Sequence, residues 1–116
     1  MKKLKIAVAT NKKEGLEDVV SQVFGRANTF TIVEVEDREI REVKIIENPA
    51  ASYNHGVGPL VVKELVDLKT DVVIAPEFGP GASTLLEHHK VTMISAEPST
   101  KVKNAIENAL KKLETK

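Results

Sequence analysis

Cysteine is absent from this chain of 116 residues. Its absence excludes disulfides, thiolate nucleophiles, cysteine-based zinc sites and thiolate-held iron–sulfur clusters. Any metal must be held by histidine, carboxylate or methionine. Net charge is missing too: 17 Lys and Arg balance 17 Asp and Glu. No global field therefore gathers nucleic acid, an anionic membrane or a polyanionic substrate, and a charged ligand has to be held by local geometry. Long apolar runs are lacking. The N-terminal one ends at Ala9, too short for a signal peptide or a membrane span, so a cytoplasmic protein is expected. A single glutamine beside abundant Lys and Glu fits a thermophilic source. Repeats, low-complexity tracts and linkers are also lacking, and the length suits one domain over residues 1–116.

What is present alternates between buried-strand and helix patterns. Lys5-Ile6-Ala7-Val8-Ala9 reads as a central strand covered on both faces. Leu16, Val19, Val20 and Val23 recur at helical spacing, so a short helix or wound loop is expected before Phe24. Thr29–Glu36 and Glu39–Glu47 are β-branched runs joined by Asp37-Arg38, a hairpin whose second strand carries the charges of an edge. Pro59 opens a helix through Leu60, Val61, Leu65, Val66 and Leu68, and Val72–Ala75 is a second buried strand. Pro80 starts a helix ending near Lys90, and Val91–Ile94 is a third buried strand. A last helix, capped by Ser99 or Thr100, shows the apolar stripe Val102, Ala105, Ile106, Ala109, Leu110, Leu113.

Placing the hairpin on one side of the first strand, and right-handed crossovers on the other, gives a five-stranded mixed sheet. Its order is 3-2-1-4-5 with strand 2 antiparallel. This α/β arrangement is ribonuclease H-like. Four strands then end at the edge where strand 2 begins, so loops 10–28, 48–58, 76–81 and 95–99 converge. Asp37-Arg38, Lys69-Thr70-Asp71 and Lys90 fall at the opposite edge. The glycine-rich stretches Phe24-Gly25-Arg26-Ala27, His55-Gly56-Val57-Gly58-Pro59 and Phe78-Gly79-Pro80-Gly81-Ala82 all fall on the first, which is where open α/β sheets receive ligands.

A two-metal nuclease needs several converging carboxylates, and the first strand has none; only Glu77 and Glu97 lie near the edge, so nuclease chemistry is rejected. Gly79-Pro80-Gly81 is either a tight strand-to-helix turn or an anion site on helix amides, and it matches neither a Walker loop nor a dinucleotide fingerprint. Arg26, between Gly25 and Ala27, can grip carboxylate or phosphate bidentately, or form a surface pair with Glu77. His55, between Asn54 and Gly56, can ligate a metal or stay solvated. His88 and His89 diverge by about 100° on one helix, cannot jointly chelate an ion, and are read as structural. Phe24, Tyr53 and Phe78 either anchor their loops or wall a bulky ligand, anchoring being slightly favoured.

In combination, the Ile-Ala-Val-Ala strand, Phe24-Gly25-Arg26-Ala27, Ile46-Glu47-Asn48-Pro49, His55-Gly56-Val57-Gly58, Asp71-Val72-Val73-Ile74 and Gly79-Pro80-Gly81-Ala82 resemble the dinitrogenase iron–molybdenum cofactor family. The resemblance covers nearly the whole chain. It implies a ribonuclease H-like fold and, in place of catalysis, non-covalent carriage of an iron–sulfur or iron–molybdenum type cluster or its precursor. Carried over, His55 is the direct metal ligand and Arg26 meets the anionic cluster or its organic acid. Phe24, Gly25, Asn54, Gly56, Gly58, Gly79, Pro80 and Gly81 shape the rest of the site. Cluster donor and acceptor proteins are the implied partners. Two other readings use the same edge: a regulatory or enzymatic domain binding a phosphorylated or carboxylated metabolite, and a protein-interaction module. The charged edge strand argues for a monomer.

Overall fold

The computed structural model describes residues 3–50 and 57–114. Its sheet contains β1 (Lys3–Thr10), β2 (Thr29–Glu36), β3 (Glu39–Glu47), β4 (Val72–Ala75) and β5 (Thr92–Ser95), in the order β3-β2-β1-β4-β5. β2 runs antiparallel to both its neighbours, while β1, β4 and β5 are mutually parallel. This is the expected topology. The connections diverge between β1 and β4.

Strand alternation decides the layers. Ile6 and Val8 face α3 (Val102–Glu114) and pack with Val102, Ala105, Ile106 and Ala109. Ala7 and Ala9 face the other way, under α1 (Val57–Asp67) and α2 (Pro80–His88), and share a core with Val61, Leu65 and Leu86. The stripe read on α3 is the one it buries, with Leu110 and Leu113 half-covered at its end.

Several local expectations need correction. Of the two alternatives for the 10–28 segment the wound loop holds, with one 3₁₀ turn, Gly15–Glu17, and no α-helix, because Asp18 offers a competing set of bonds. Its carboxylate accepts from the amides of Lys12 at 2.9 Å and Val19 at 2.8 Å. The loop is then stitched by bridges from Val20 to Thr10 and from Val19 to Lys101. Neither Ser99 nor Thr100 caps α3. Ser99 has φ 73°, and the Lys101 carbonyl accepts the first helical bond, from Ala105. The Val102 amide instead donates to the Asp18 carbonyl at 2.9 Å, a main-chain cap supplied by the loop. A Glu17–Lys101 ion pair at 2.7 Å flanks this joint and holds the Glu17 carboxyl below its ordinary range.

α1 begins at Val57, so Pro59 sits inside its first turn, and Val57, Val61, Val62 and Leu65 form the buried face while Leu60 is exposed. β5 starts at Thr92 and is an edge strand, so only Ile94 of it is buried. His89 lies beyond α2 with φ −90°, which lets its ring meet that of His88 edge-on at 5.1 Å where divergence was expected.

The hairpin turn Asp37-Arg38 has φ 54° and 73°, the paired left-handed conformation of a type I′ turn. α1 and α2 end alike. Thr70 and Val91 donate back to Leu65 and Leu86, Lys69 and Lys90 donate to Val66 and Glu87, and the two lysines have φ 63° and 61°. These are Schellman motifs with lysine where glycine is favoured. The left-handed conformation costs a side-chain-bearing residue about 1–2 kcal/mol, partly offset by the greater flexibility of unfolded glycine. Lys90→Gly is therefore expected to stabilise the protein by about 0.5–1 kcal/mol, read as a melting temperature raised by a few degrees. An unchanged or lower melting temperature would count against the strain.

Candidate functional site

The edge at which β1 and β4 end carries an open cavity of about 610 Å³. Three segments line it: Val23-Phe24-Gly25-Arg26, the first turn of α1 at Val57-Gly58-Pro59, and Glu77 to Ala82 at the start of α2. Seven of the residues proposed from sequence thus meet around one space: Phe24, Gly25, Arg26, Gly58, Gly79, Pro80 and Gly81. Asn54, His55 and Gly56 lie outside the described residues, as does Tyr53. Glu97 is elsewhere, in a separate depression against α3 with Asn108 and Lys112.

The floor is aromatic. Phe24 is buried, its ring edge-on to Phe30 at 5.8 Å and tilted against Phe78 at 5.2 Å. Because Phe24 and Phe78 also line the cavity, anchor and wall are the same two rings.

The segments approach closely, and only at Gly25 would a side chain crowd its neighbour. A Cβ on Gly58 would stand 3.5 Å from that of Ala82, so the first turns of α1 and α2 touch there. A Cβ on Gly25 would come within 3.2 Å of Val57 Cγ1. Gly79 and Gly81 differ: a Cβ on either meets nothing within 4 Å. Their backbones face open space that a side chain would fill.

Two helix N-termini consequently converge on the cavity, each carrying about half a positive charge. Pro80 has no N–H, Ser83 donates to the Gly79 carbonyl at 2.9 Å, and helix geometry leaves the Gly81 and Ala82 amides without intrahelical acceptors. The exposed Arg26 adds a full charge on the opposite wall. Such a donor set suits an anion. It does not suit a bare metal ion: among the described residues no group of three or more His, Asp or Glu could hold one. Among those residues, too, no helix is long and apolar enough to cross a membrane.

The model of the family described as dinitrogenase iron-molybdenum cofactor matches residues 2–112. The chain belongs to this family. An uncharacterized protein of Methanocaldococcus jannaschii is 31% identical over 98 residues, covering 82% of this chain and 83% of that protein. In structure the chain is similar to the apo form of the orange protein from Desulfovibrio gigas, with TM-score 0.84, 23% identity, and coverage of 93% of this chain and 88% of that one. An NMR structure from Thermotoga, of a protein considered a NifB candidate, aligns with TM-score 0.73 and 28% identity over 94% of this chain and 88% of the other. The ribonuclease H-like order of this family member's sheet and its whole-chain resemblance thus stand together.

Residues that sequence reasoning gave no role include Asn48, met only as part of a motif. Its side chain is buried and reaches the Phe24–Ala27 turn. Thr10, Thr29 and Thr31 were missed as well. They form a buried hydroxyl cluster, with Oγ1 contacts of 2.7 and 3.1 Å, and Thr29 donates to the Lys12 carbonyl. Buried polar residues in strands that otherwise read as apolar are the signal that could have found this cluster.

Proposed function

We propose that the protein is a carrier, without catalytic chemistry of its own, for an anionic iron–sulfur or iron–molybdenum type cluster or its precursor. The observation that carries this reading is the convergence of two helix N-termini and Arg26 on a cysteine-free cavity. That cavity is within the size range of small-ligand sites. The cofactor family supports the same cargo. A cluster whose metals already carry their own sulfides needs shape, amides and counter-charge more than new ligands, and exchangeable contacts suit delivery to an acceptor protein.

In this reading Phe24 and Gly25 form the floor and near wall, Arg26 meets the cluster's charge, and Gly58, Gly79, Pro80 and Gly81 make the cradle. His55, two residues before Val57 in the chain, supplies the direct metal ligand, with Asn54 and Gly56 beside it. Anaerobic titration of the apo-protein with a reconstituted cluster, followed by absorbance and native mass, is expected to give stoichiometric uptake, weakened by about tenfold or more in His55→Ala. No uptake by the wild type would overturn the carrier reading. Uptake unaffected by His55→Ala but lost in Arg26→Ala would favour a plain anion site, such as one for a phosphorylated or carboxylated metabolite.

A further inference from the structure

Asn48 bonds the backbone on either side of Arg26. Its Nδ2 donates to the Gly25 carbonyl at 2.8 Å and to the Ala27 carbonyl at 2.9 Å, so one amide group grips the backbone on both sides of the arginine. Its Oδ1 accepts from the Ala50 amide at 2.9 Å, and its own amide donates to the Asn28 carbonyl at 3.1 Å. Both side-chain donors and the acceptor are thereby used. Asn48 is only 7% exposed and Ala27 1%, so the Ala27 carbonyl has no water as a ready replacement partner, whereas the bond to Gly25 is half-buried beside the cavity. Within the turn the Ala27 amide donates to the Phe24 carbonyl at a long 3.2 Å. The turn also presses Gly25 toward Val57.

We propose that Asn48 is the positioning residue of the site: it locks the Phe24–Ala27 turn and so sets how strongly Arg26 holds an anion. The binding half rests on the carrier reading; the locking half does not. Aspartate has the same shape but would turn a carboxylate toward the two carbonyls. Serine, shorter and with a single O–H, could serve at most one of them.

The test has a ligand-free arm and a ligand arm. Without ligand, Asn48→Ser is expected to speed hydrogen exchange of the Ala27 amide by about tenfold, since a buried bond of this kind is worth roughly one such factor. Unchanged exchange would overturn the lock whether or not the protein carries a cluster. With tetrathiomolybdate as probe, Asn48→Ser is expected to lose about tenfold in affinity and to flatten the salt dependence of binding, as Arg26→Ala should. In the double variant there should be no further loss. An equal loss in the Arg26→Ala background would mean that Asn48 does not act through the arginine, and would overturn the proposal. Should Asn48→Ser and Asn48→Asp both fail to fold, the wild type decides: exchange of the Asn48 side-chain protons should slow when the probe binds, and unchanged exchange would sink the coupling. A wild type that ignores the probe ends the carrier reading and the binding half with it, leaving the lock to the exchange data.

Discussion

Aspartate in place of Gly79 should make the protein more stable and close its site to anions. Gly79 is the N-cap of α2, with φ −65° and ψ 161°, a conformation open to any residue, and no side chain caps the helix. A Cβ there meets nothing within 4 Å. An aspartate carboxylate can accept from the amide of Gly81 or Ala82 and complement the dipole, worth a few tenths to about 1 kcal/mol and a rise of a few degrees in melting temperature. The same carboxylate would take the amides offered to the ligand and oppose Arg26 across the cavity. Cluster uptake should fall by about a hundredfold or more, the magnitude of losing charge-assisted bonds and adding a like charge in one stroke. Gly79→Ser separates the effects: it caps without charge, so it should stabilise similarly and impair uptake less. Wild-type affinity in Gly79→Asp would remove the cavity from consideration.

Truncating Phe30 to alanine should cost about 3–5 kcal/mol, against a total of about 5–15 for a domain of this kind. Phe30 is only 1% exposed and sits in the sheet between Ala9 and Ile46. Alanine at its neighbouring position leaves nothing large enough to fill the void. Phe24 rests on this ring, so the loss would also slacken the cavity floor. Urea unfolding should show a much lower midpoint with an unchanged slope, and Phe30→Leu should recover most of the loss. A cost below about 1 kcal/mol for Phe30→Ala would show that the core collapses around the gap, leaving Phe24 supported by other residues.

The parts of the fold written as periodic patterns were legible: two-sided apolar strands, the α3 stripe and the charged β3 led to the correct sheet order through the handedness of crossovers. The described parts of the glycine-rich stretches fall at one edge for the same reason. What failed depends on contacts that no short-range pattern encodes. Leu16, Val19 and Val20 look helical until the buried Asp18 claims the amides of Lys12 and Val19. Ser99 and Thr100 look like caps until the main chain of Asp18 takes that role for Val102. Asn48 reads as an ordinary turn residue before proline, because the carbonyls it serves are 21 and 23 residues away in the chain.

That stitching of the 10–28 loop makes the sheet less of a partition than it looks. Asp18, Val19 and Val20 are bonded to Val102, Lys101 and Thr100 on the α3 side, yet the same segment runs on within a few residues to the Phe24–Ala27 turn on the α1 and α2 side. The wall bearing Arg26 is therefore tethered to a helix that never touches the ligand space. Loosening the first turn of α3 would release those bonds at the far end of the segment that leads to Arg26.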